Sequence, residues 1–445
     1  MTEVDARSAP APDENSPGES RPEGDPPSVK RLVIVGASLA GMKAVEGARK
    51  SGYAGEIVLI GDEHHFPYDR PPLSKRFLDD ERDVPYFREH TSYVEDLDAT
   101  LLLGSPAIAL RPAEKAVIVD GRAVHYDALV IATGASPRTM PQWAGMQGVV
   151  TLRRFADAVT IRGALDAQKN VTIIGAGFIG AEIASAARKS GCTVTIVEAT
   201  ETPLARAVGP EMGILLSKMH EKYGTALYCG VTVASVNGGE SGDKVQSVEL
   251  SDGRVIPTDL LLVSIGASPA TEWLRDSGIE LTPDGGIVCD ASLQTSLPGV
   301  YAAGDVVHWP NAIMDTTMRL EHWTSANEQG ALAGKNAAGV ADRAVYETVP
   351  YFWSDWYGNR IQFVGVAGTI TPHVVSGSVE SDKFVALYQL GDRVVGALTV
   401  NEPSRIMKER RRISQRTSWQ DALDVYAAAD AARAGAVAAD AIVAG

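Results

Sequence analysis

Two Rossmann-like α/β dinucleotide-binding units followed by a C-terminal α+β domain are predicted by three observations. A strand–glycine turn–helix–strand unit occurs twice, over residues 31–63 and 170–198, and such a repeat marks a duplicated architecture. The first strand of each unit, RLVIVG and NVTIIG, is a continuous apolar run, as a parallel sheet covered on both faces requires. From Val345 the composition shifts to clustered aromatics and then to strand-like runs (RIQFVGVAG, KFVALYQL, RVVGALTV). These read as an antiparallel sheet in a separate domain.

Within each repeat the helix closes on a glycine, Gly52 and Gly191, suited to the left-handed position just past a helix end. The turns begin at Gly36 and Gly175, 139 residues apart. Between the second unit and Val345 the chain alternates short strands and turns (LLLVSIG, GGIVCD, GVYAAGD), then reads as a helix from about Ser325 to Ala338. The last stretch, from Asp421, is alanine-rich and reads as a surface-packed helix. Residues 1–28, rich in Pro, Glu, Asp, Ser and Gly, lack apolar surface to bury and are expected to be a disordered acidic tail.

Composition limits what the molecule does. A chain of 445 residues exceeds one core. Its formal charge is −15, of which the first 28 residues carry seven acids and two arginines, leaving −10 for the remainder. That balance argues against a non-specific nucleic-acid binder. Cys192, Cys229 and Cys289 show no C-x-x-C spacing, which gives no support to a disulfide framework or a metal site and suits a reducing cytoplasm. No apolar run reaches the ~18 residues of a membrane span, so a soluble protein is expected.

Gly175-Ala-Gly177-Phe-Ile-Gly180 follows a strand and opens a helix. Its glycines permit the tight turn, the close approach of backbone to pyrophosphate, and helix–sheet packing, while the helix N-terminus supplies N–H groups for the phosphates. Glu198 lies 18 residues past Gly180, near the ~20 expected of an acid on an adenosine ribose. Glu201 follows where an arginine would favour a ribose phosphate, so NADH is expected over NADPH. The first turn, Gly36-Ala-Ser38-Leu-Ala-Gly41, carries serine at its middle position, and Glu63, with Asp62 beside it, is the candidate ribose acid. Ala132-Thr133-Gly134 and Gly304-Asp305 each end a further apolar strand.

With these turns, the runs Pro67-Tyr-Asp-Arg-Pro-Pro-Leu-Ser-Lys75, Leu320-Glu-His-Trp323 and Pro350-Tyr-Phe-Trp-Ser-Asp355 resemble the FAD-dependent ferredoxin and rubredoxin reductases of oxygenase systems, over roughly residues 30 to 412. The resemblance implies a glutathione-reductase-like fold, with an FAD domain at 29–147 and 270–344, an NAD domain at 148–269, and a C-terminal domain at 345–445. It implies non-covalent FAD, NADH as donor, a two-iron ferredoxin or rubredoxin as acceptor, and a monomer or weak dimer. It places Glu63 at the FAD ribose, Arg70 and Arg138 at the phosphate and flavin regions, and Asp305 at the ribityl or pyrophosphate end. Lys75 would stand beside the hydride-accepting flavin nitrogen, paired with Glu182. Ile179, Gly180, Glu198, Arg206, Gly266 and Glu321 would meet NADH. His322 and Trp323 would flank the flavin, and Trp353 would lie at its edge on the electron path. The C-x-x-x-x-C pair of disulfide reductases is replaced here by Arg70-Pro-Pro-Leu-Ser-Lys75.

The basic run Lys408-Glu-Arg410-Arg411-Arg412, with Arg393 and Arg405, reads either as a docking patch for an acidic ferredoxin or as a solvated helix face. Two other functions fit the same residues: a redox-sensing flavoprotein like apoptosis-inducing factor, and an NADH oxidase or quinone reductase.

Overall fold

A computed structural model describes residues 29–239, 242–368 and 370–429. The acidic tail and the end of the alanine-rich run lie outside the described residues. Two parallel five-stranded sheets and one antiparallel five-stranded sheet organise the rest.

The first parallel sheet runs, in spatial order, Val300–Ala302, Ala128–Ile131, Arg31–Val35, Glu56–Ile60 and Ala99–Leu102. Its edge strand at 300–302 comes from far downstream of the other four, so this unit is discontinuous. The second sheet, Ala226–Cys229, Val194–Glu198, Val171–Ile174, Leu260–Val263 and Val149–Val150, is built from the intervening chain. Leu32, Val33 and Ile34 are wholly buried, as are Ile173 and Ile196; uninterrupted apolar strands therefore become sheet centres covered on both faces. The helices that follow the two glycine turns, Leu39–Lys50 and Phe178–Lys189, each lead to a left-handed glycine, Gly52 at φ +90° and Gly191 at φ +87°.

Small residues decide how the first unit closes. The helix Trp323–Ala338, starting slightly before the expected Ser325, lies against Leu39–Lys50. A Cβ added to Gly47 would stand 2.1 Å from Ala331 O, one on Gly330 2.3 Å from Ala40 O, and one on Gly334 2.0 Å from Ala44 O. The two helices thus meet backbone to backbone, and even one added methyl would drive them apart at roughly 1–3 kcal/mol.

The antiparallel sheet follows the order Tyr351–Trp356, Asn359–Gly365, Arg393–Val400, Lys383–Leu390, Pro372–Ser378. Helix Pro403–Ser414 packs Ile406 and Ile413 onto it, and residues 419–429 continue as helix with Ala422 and Tyr426 in the same cluster. The basic run on Pro403–Ser414 is only half a surface. Arg410 donates to Val349 O (3.0 Å) and Thr348 Oγ1 (2.8 Å), and Arg412 pairs with the fully buried Glu409. Lys408 and Arg411 remain exposed.

Two small antiparallel sheets, within residues 107–125 and 233–257, were not anticipated. Their strands are three to five residues long, and all but the buried Ala116–Val119 are partly exposed, which leaves little hydrophobic period to read. Among the described residues no helix is long and apolar enough to cross a membrane.

Candidate active site

Three strands of the first sheet end side by side, and the turns that follow them, at Gly36, at Ala132–Gly134 and at Gly304–Asp305, face one cavity of about 840 Å³. Ligands of open α/β sheets settle at such carboxyl ends. The cavity continues past Lys75 to the start of helix Phe178–Lys189 and is walled on the far side by Phe352 and Trp353 of the antiparallel sheet.

The first glycine turn is tightly enclosed. Gly36 has φ +117°, and a Cβ there would lie 2.1 Å from Ala132 O; one on Gly41 would lie 1.8 Å from Gly36 O. Ser38 is the extended N-cap of its helix, yet its side chain makes no capping bond. Instead Ser38 Oγ accepts from Arg70 Nε (3.2 Å). Arg70 also donates to Glu63 Oε1 (2.8 Å) and Arg153 O (2.5 Å), and Tyr68 OH donates to Glu63 Oε2 (2.7 Å). Burial pushes the Glu63 carboxyl up, but Arg70 and the Tyr68 hydroxyl outweigh it and hold the group below the usual carboxylate range.

Glu63, expected at a ribose, has its carboxylate on Arg70 and Tyr68 and is not among the residues lining the cavity, nor is Glu198. Gly36 N bonds Ile60 O as Gly175 N bonds Val197 O, so by register Gly61 corresponds to Glu198, and Asp62 and Glu63 follow it.

Lys75 closes a short 3-10 turn, Pro71–Ser74. Its Nζ lies 2.5 Å from Glu182 Oε1, on the helix of the second glycine turn. The same carboxylate accepts from Ser74 Oγ and Ser354 Oγ, each at 2.5 Å. The turn is anchored from behind by the buried Arg162, which donates to Phe77 O (2.6 Å) and Asp79 O (3.1 Å).

Opposite, Asp305 pairs with Arg153 (3.1 Å), and Gly304 N donates to the buried Gln329 Oε1 (2.9 Å). Glu321 pairs with Arg319 (2.8 Å), whose Nη1 also reaches Asp305 O (3.0 Å). Trp323 Nε1 donates to Asp69 Oδ1 (2.8 Å) and its ring meets Trp353 edge-on at 6.1 Å. Burial pushes His322 down to about 4, so its imidazole is neutral at physiological pH. Its buried Nδ1 has no protein partner.

The second turn keeps the backbone of the first but stands open. Gly175 has φ +101°, with a Cβ position 2.3 Å from Ser264 O, whereas a Cβ on Gly177 would meet nothing within 4 Å. Ile179 beside it is 46% exposed. Glu198 is held ready by Ala176 N (2.8 Å) and by Thr200 N (2.9 Å) and Oγ1 (2.8 Å). Arg206 and Ile179 line the cavity.

Several expected residues are not among those lining it, Thr133, Arg138 and Gly266 among them. Thr133 turns its hydroxyl to Ala270 O (2.8 Å). Gly266 and Arg138 belong to the crossing between the two units, where Arg138 N bonds Gly266 O (2.9 Å) and the exposed Arg138 side chain turns to Ser268 Oγ (3.2 Å). The short strand pairing of Ala135–Pro137 with Ala267–Pro269 carries the chain away from the cavity there.

Arg153 and Arg319 were missed because neither lies in a motif, and Ser354 was passed over within the Pro350–Asp355 run in favour of Trp353. A dinucleotide fits this site. The N-cap beside Arg70 offers a cationic, hydroxyl-bearing seat for phosphate, and the unpartnered His322 Nδ1 lies in the same wall. Among the described residues no three His, Cys, Asp or Glu side chains gather as a metal site.

A family model described as pyridine nucleotide-disulphide oxidoreductase matches residues 30–330, and a second, described as reductase C-terminal, matches residues 351–433. Rhodocoxin reductase of Rhodococcus erythropolis is 35% identical over 384 residues, 85% of this chain and 88% of that protein. The ferredoxin–NAD(+) reductase component of the p-cumate 2,3-dioxygenase system of Pseudomonas putida is 35% identical over 393 residues, 88% of this chain and 94% of that protein. A chain of the covalent putidaredoxin reductase–putidaredoxin complex superposes with a TM-score of 0.84 at 31% identity, covering 90% of this chain and 98% of that one. The disulphide of the family description has no counterpart in this cavity: all three cysteines are free and none lines it. On its paired glycine turns and a match spanning most of its length, the chain belongs to the pyridine nucleotide-disulphide oxidoreductase family.

Proposed function

We propose that this chain is an FAD-containing reductase that accepts a hydride from NADH and delivers electrons singly to a small iron–sulfur protein, a two-iron ferredoxin or rubredoxin. The observation that carries this reading is the Lys75–Glu182 pair set in a cavity between two dinucleotide turns, with no thiol in the lining. Without a thiol relay, electrons leave the cofactor directly.

In this reading the discontinuous unit holds FAD, the inserted unit holds NADH, and the antiparallel sheet forms the exit face. When bound, FAD supplies the conversion of a two-electron donor into one-electron steps. The chain's own residues do the rest. Ser38 and Arg70 seat the pyrophosphate at a helix N-terminus, while Asp305, steered by Arg153, accepts from the ribityl end. The Lys75 ammonium stabilises negative charge that develops beside it, and Glu182 holds that ammonium in place. Glu198 takes the adenosine ribose of NADH, with Glu201 disfavouring a phosphate there. Trp353, between Trp323 and Tyr351 (ring centroids 6.1 and 5.8 Å) and under Arg360 (5.4 Å), forms the aromatic route outward. We place the reaction in the cytoplasm, where thiols such as these three stay unpaired.

The test follows the visible spectrum of the purified protein, then cytochrome c reduction by NADH with and without an added two-iron ferredoxin. Rapid bleaching of a flavin band by NADH but not NADPH, together with ferredoxin-dependent cytochrome reduction, is the expected result. Trp353→Ala should slow the ferredoxin-dependent rate about tenfold, roughly 1.4 kcal/mol of barrier, and leave bleaching intact. Slow bleaching with no effect of ferredoxin would favour the redox sensor. Fast NADH oxidation without any partner would favour the oxidase.

A further inference from the structure

Glu182 is a carboxylate on which all three parts of the molecule converge. Lys75 and Ser74 come from the discontinuous unit, Glu182 itself from the inserted unit, and Ser354 from the antiparallel sheet. Lys75 Nζ and Ser354 Oγ both reach Oε1 at 2.5 Å, and Ser74 Oγ reaches Oε2 at 2.5 Å. Ser354 is wholly buried, Glu182 5% exposed and Ser74 7% exposed.

The direction of the Ser354 proton is determined by its other neighbour. Trp356 Nε1 lies 2.8 Å from Ser354 Oγ, and an indole N–H only donates. Ser354 therefore accepts from Trp356 and gives its single proton to Glu182. Trp356 is fully buried and stacks on His220 at 5.4 Å and 28°, and His220 Nδ1 is 2.9 Å from Tyr357 OH. Burial pushes His220 down to about 4, so the ring beneath the tryptophan brings no charge of its own at neutral pH. The hydrogen bonds from Trp356 through Ser354 to Glu182 thus have one orientation.

We propose that Ser354, aimed by Trp356, is a positioning residue for the reductive half of the reaction. By donating to Oε1, the very oxygen that Lys75 contacts, it draws down the carboxylate's hold on the ammonium and so governs how much positive field reaches the flavin. The inference rests on the reading above that Lys75 faces the flavin. Removing the Ser354 hydroxyl leaves Glu182 with fewer donors, binds Lys75 more firmly to the carboxylate, and makes the flavin harder to reduce.

The measurement is the two-electron potential of the flavin by equilibration with a reference dye, with NADH bleaching followed in a single turnover. Ser354→Ala should lower the reduced-to-oxidised ratio at fixed poise about tenfold, which is about 30 mV for a two-electron couple. The bleaching rate should fall with it while the NADH concentration at half-saturation stays put. Trp356→Phe keeps the ring on His220 but removes the N–H; it should shift the ratio the same way by about threefold, and it carries the test if Ser354→Ala loses its flavin. Lys75→Gln separates the two layers of argument. A potential that moves in Lys75→Gln but in neither Ser354→Ala nor Trp356→Phe overturns this proposal and leaves the reductase reading standing. A potential unmoved in Lys75→Gln removes lysine from the flavin, and both fall together.

Discussion

The two glycine turns share a backbone and differ in almost everything around it. In each, the first glycine adopts a positive φ and presses against the carbonyl of a neighbouring turn, Gly36 on Ala132 and Gly175 on Ser264. Around the first, helix Leu39–Lys50 is sealed by Trp323–Ala338, the middle residue is a serine under Arg70, and Glu63 is occupied with Arg70 and Tyr68. Around the second, the middle residue is an unobstructed glycine, Ile179 faces solvent, and Glu198 waits at the strand end in a cradle of local donors. The first turn is enclosed and the second stands open. That is the asymmetry required of a retained cofactor beside an exchanging one, and it is produced by neighbours from distant chain segments, not by the turn itself.

Substitutions at matched positions should therefore diverge. Gly36→Ala should have the largest effect, since it adds roughly 1–3 kcal/mol of backbone strain to a clash with the Ala132 carbonyl of the neighbouring turn. The purified protein should be nearly colourless, with flavin content below about a tenth of normal, as a penalty beyond ~1.4 kcal/mol implies; full yellow protein would show that the first turn is not enclosed as described. Glu198→Ala should come next. It removes the ribose acceptor, worth roughly 1.5–3 kcal/mol for a charged hydrogen bond, so NADH efficiency should drop about a hundredfold while flavin content is unchanged. Gly177→Ala should leave the melting temperature within about 2 °C, the shift expected for under 1 kcal/mol in a chain this long, because the new methyl meets no protein atom. It should still raise the NADH concentration at half-saturation about tenfold, through lost backbone approach to the phosphates. If it unfolds the protein as Gly36→Ala strips the flavin, the contrast between the turns is wrong.

How much of this was legible in the sequence follows the range of each interaction. The βαβ units, the glycine caps and the Lys75–Glu182 pairing could be read or inferred because they sit in dense local motifs or beside one. Counting from Gly41 reached Glu63 but not its surroundings: register makes Gly61 the counterpart of Glu198, and Arg70 and Tyr68 occupy the Glu63 carboxylate. Ser354 lies 172 residues from the carboxylate it serves, and Arg153 lies 152 from Asp305. No periodicity marks such pairs; only the closing of three sheets around one cavity brings them together. The basic run at 408–412 divides in a way its pattern does not show, with Lys408 and Arg411 exposed while Arg410 and Arg412 are spent on packing.

The finest test converts one turn into the other. Ser38→Gly gives the first turn the small middle residue of the second, and glycine at an N-cap costs only a few tenths of a kcal/mol. Ser38 makes no capping bond to lose, so the fold should not notice. What is lost is a hydroxyl that accepts from Arg70 Nε (3.2 Å) and keeps its own proton for a phosphate oxygen. One such bond contributes about 1 kcal/mol net, which is about a fivefold faster loss of FAD on dilution, followed by the rise of free flavin fluorescence. An unchanged rate would make the hydroxyl a bystander and leave the grip to Arg70 and the sealed helices alone. A slower rate would mean the serine stands in the way of the backbone approach that Gly177 permits, and that the first turn retains its cofactor in spite of its middle residue.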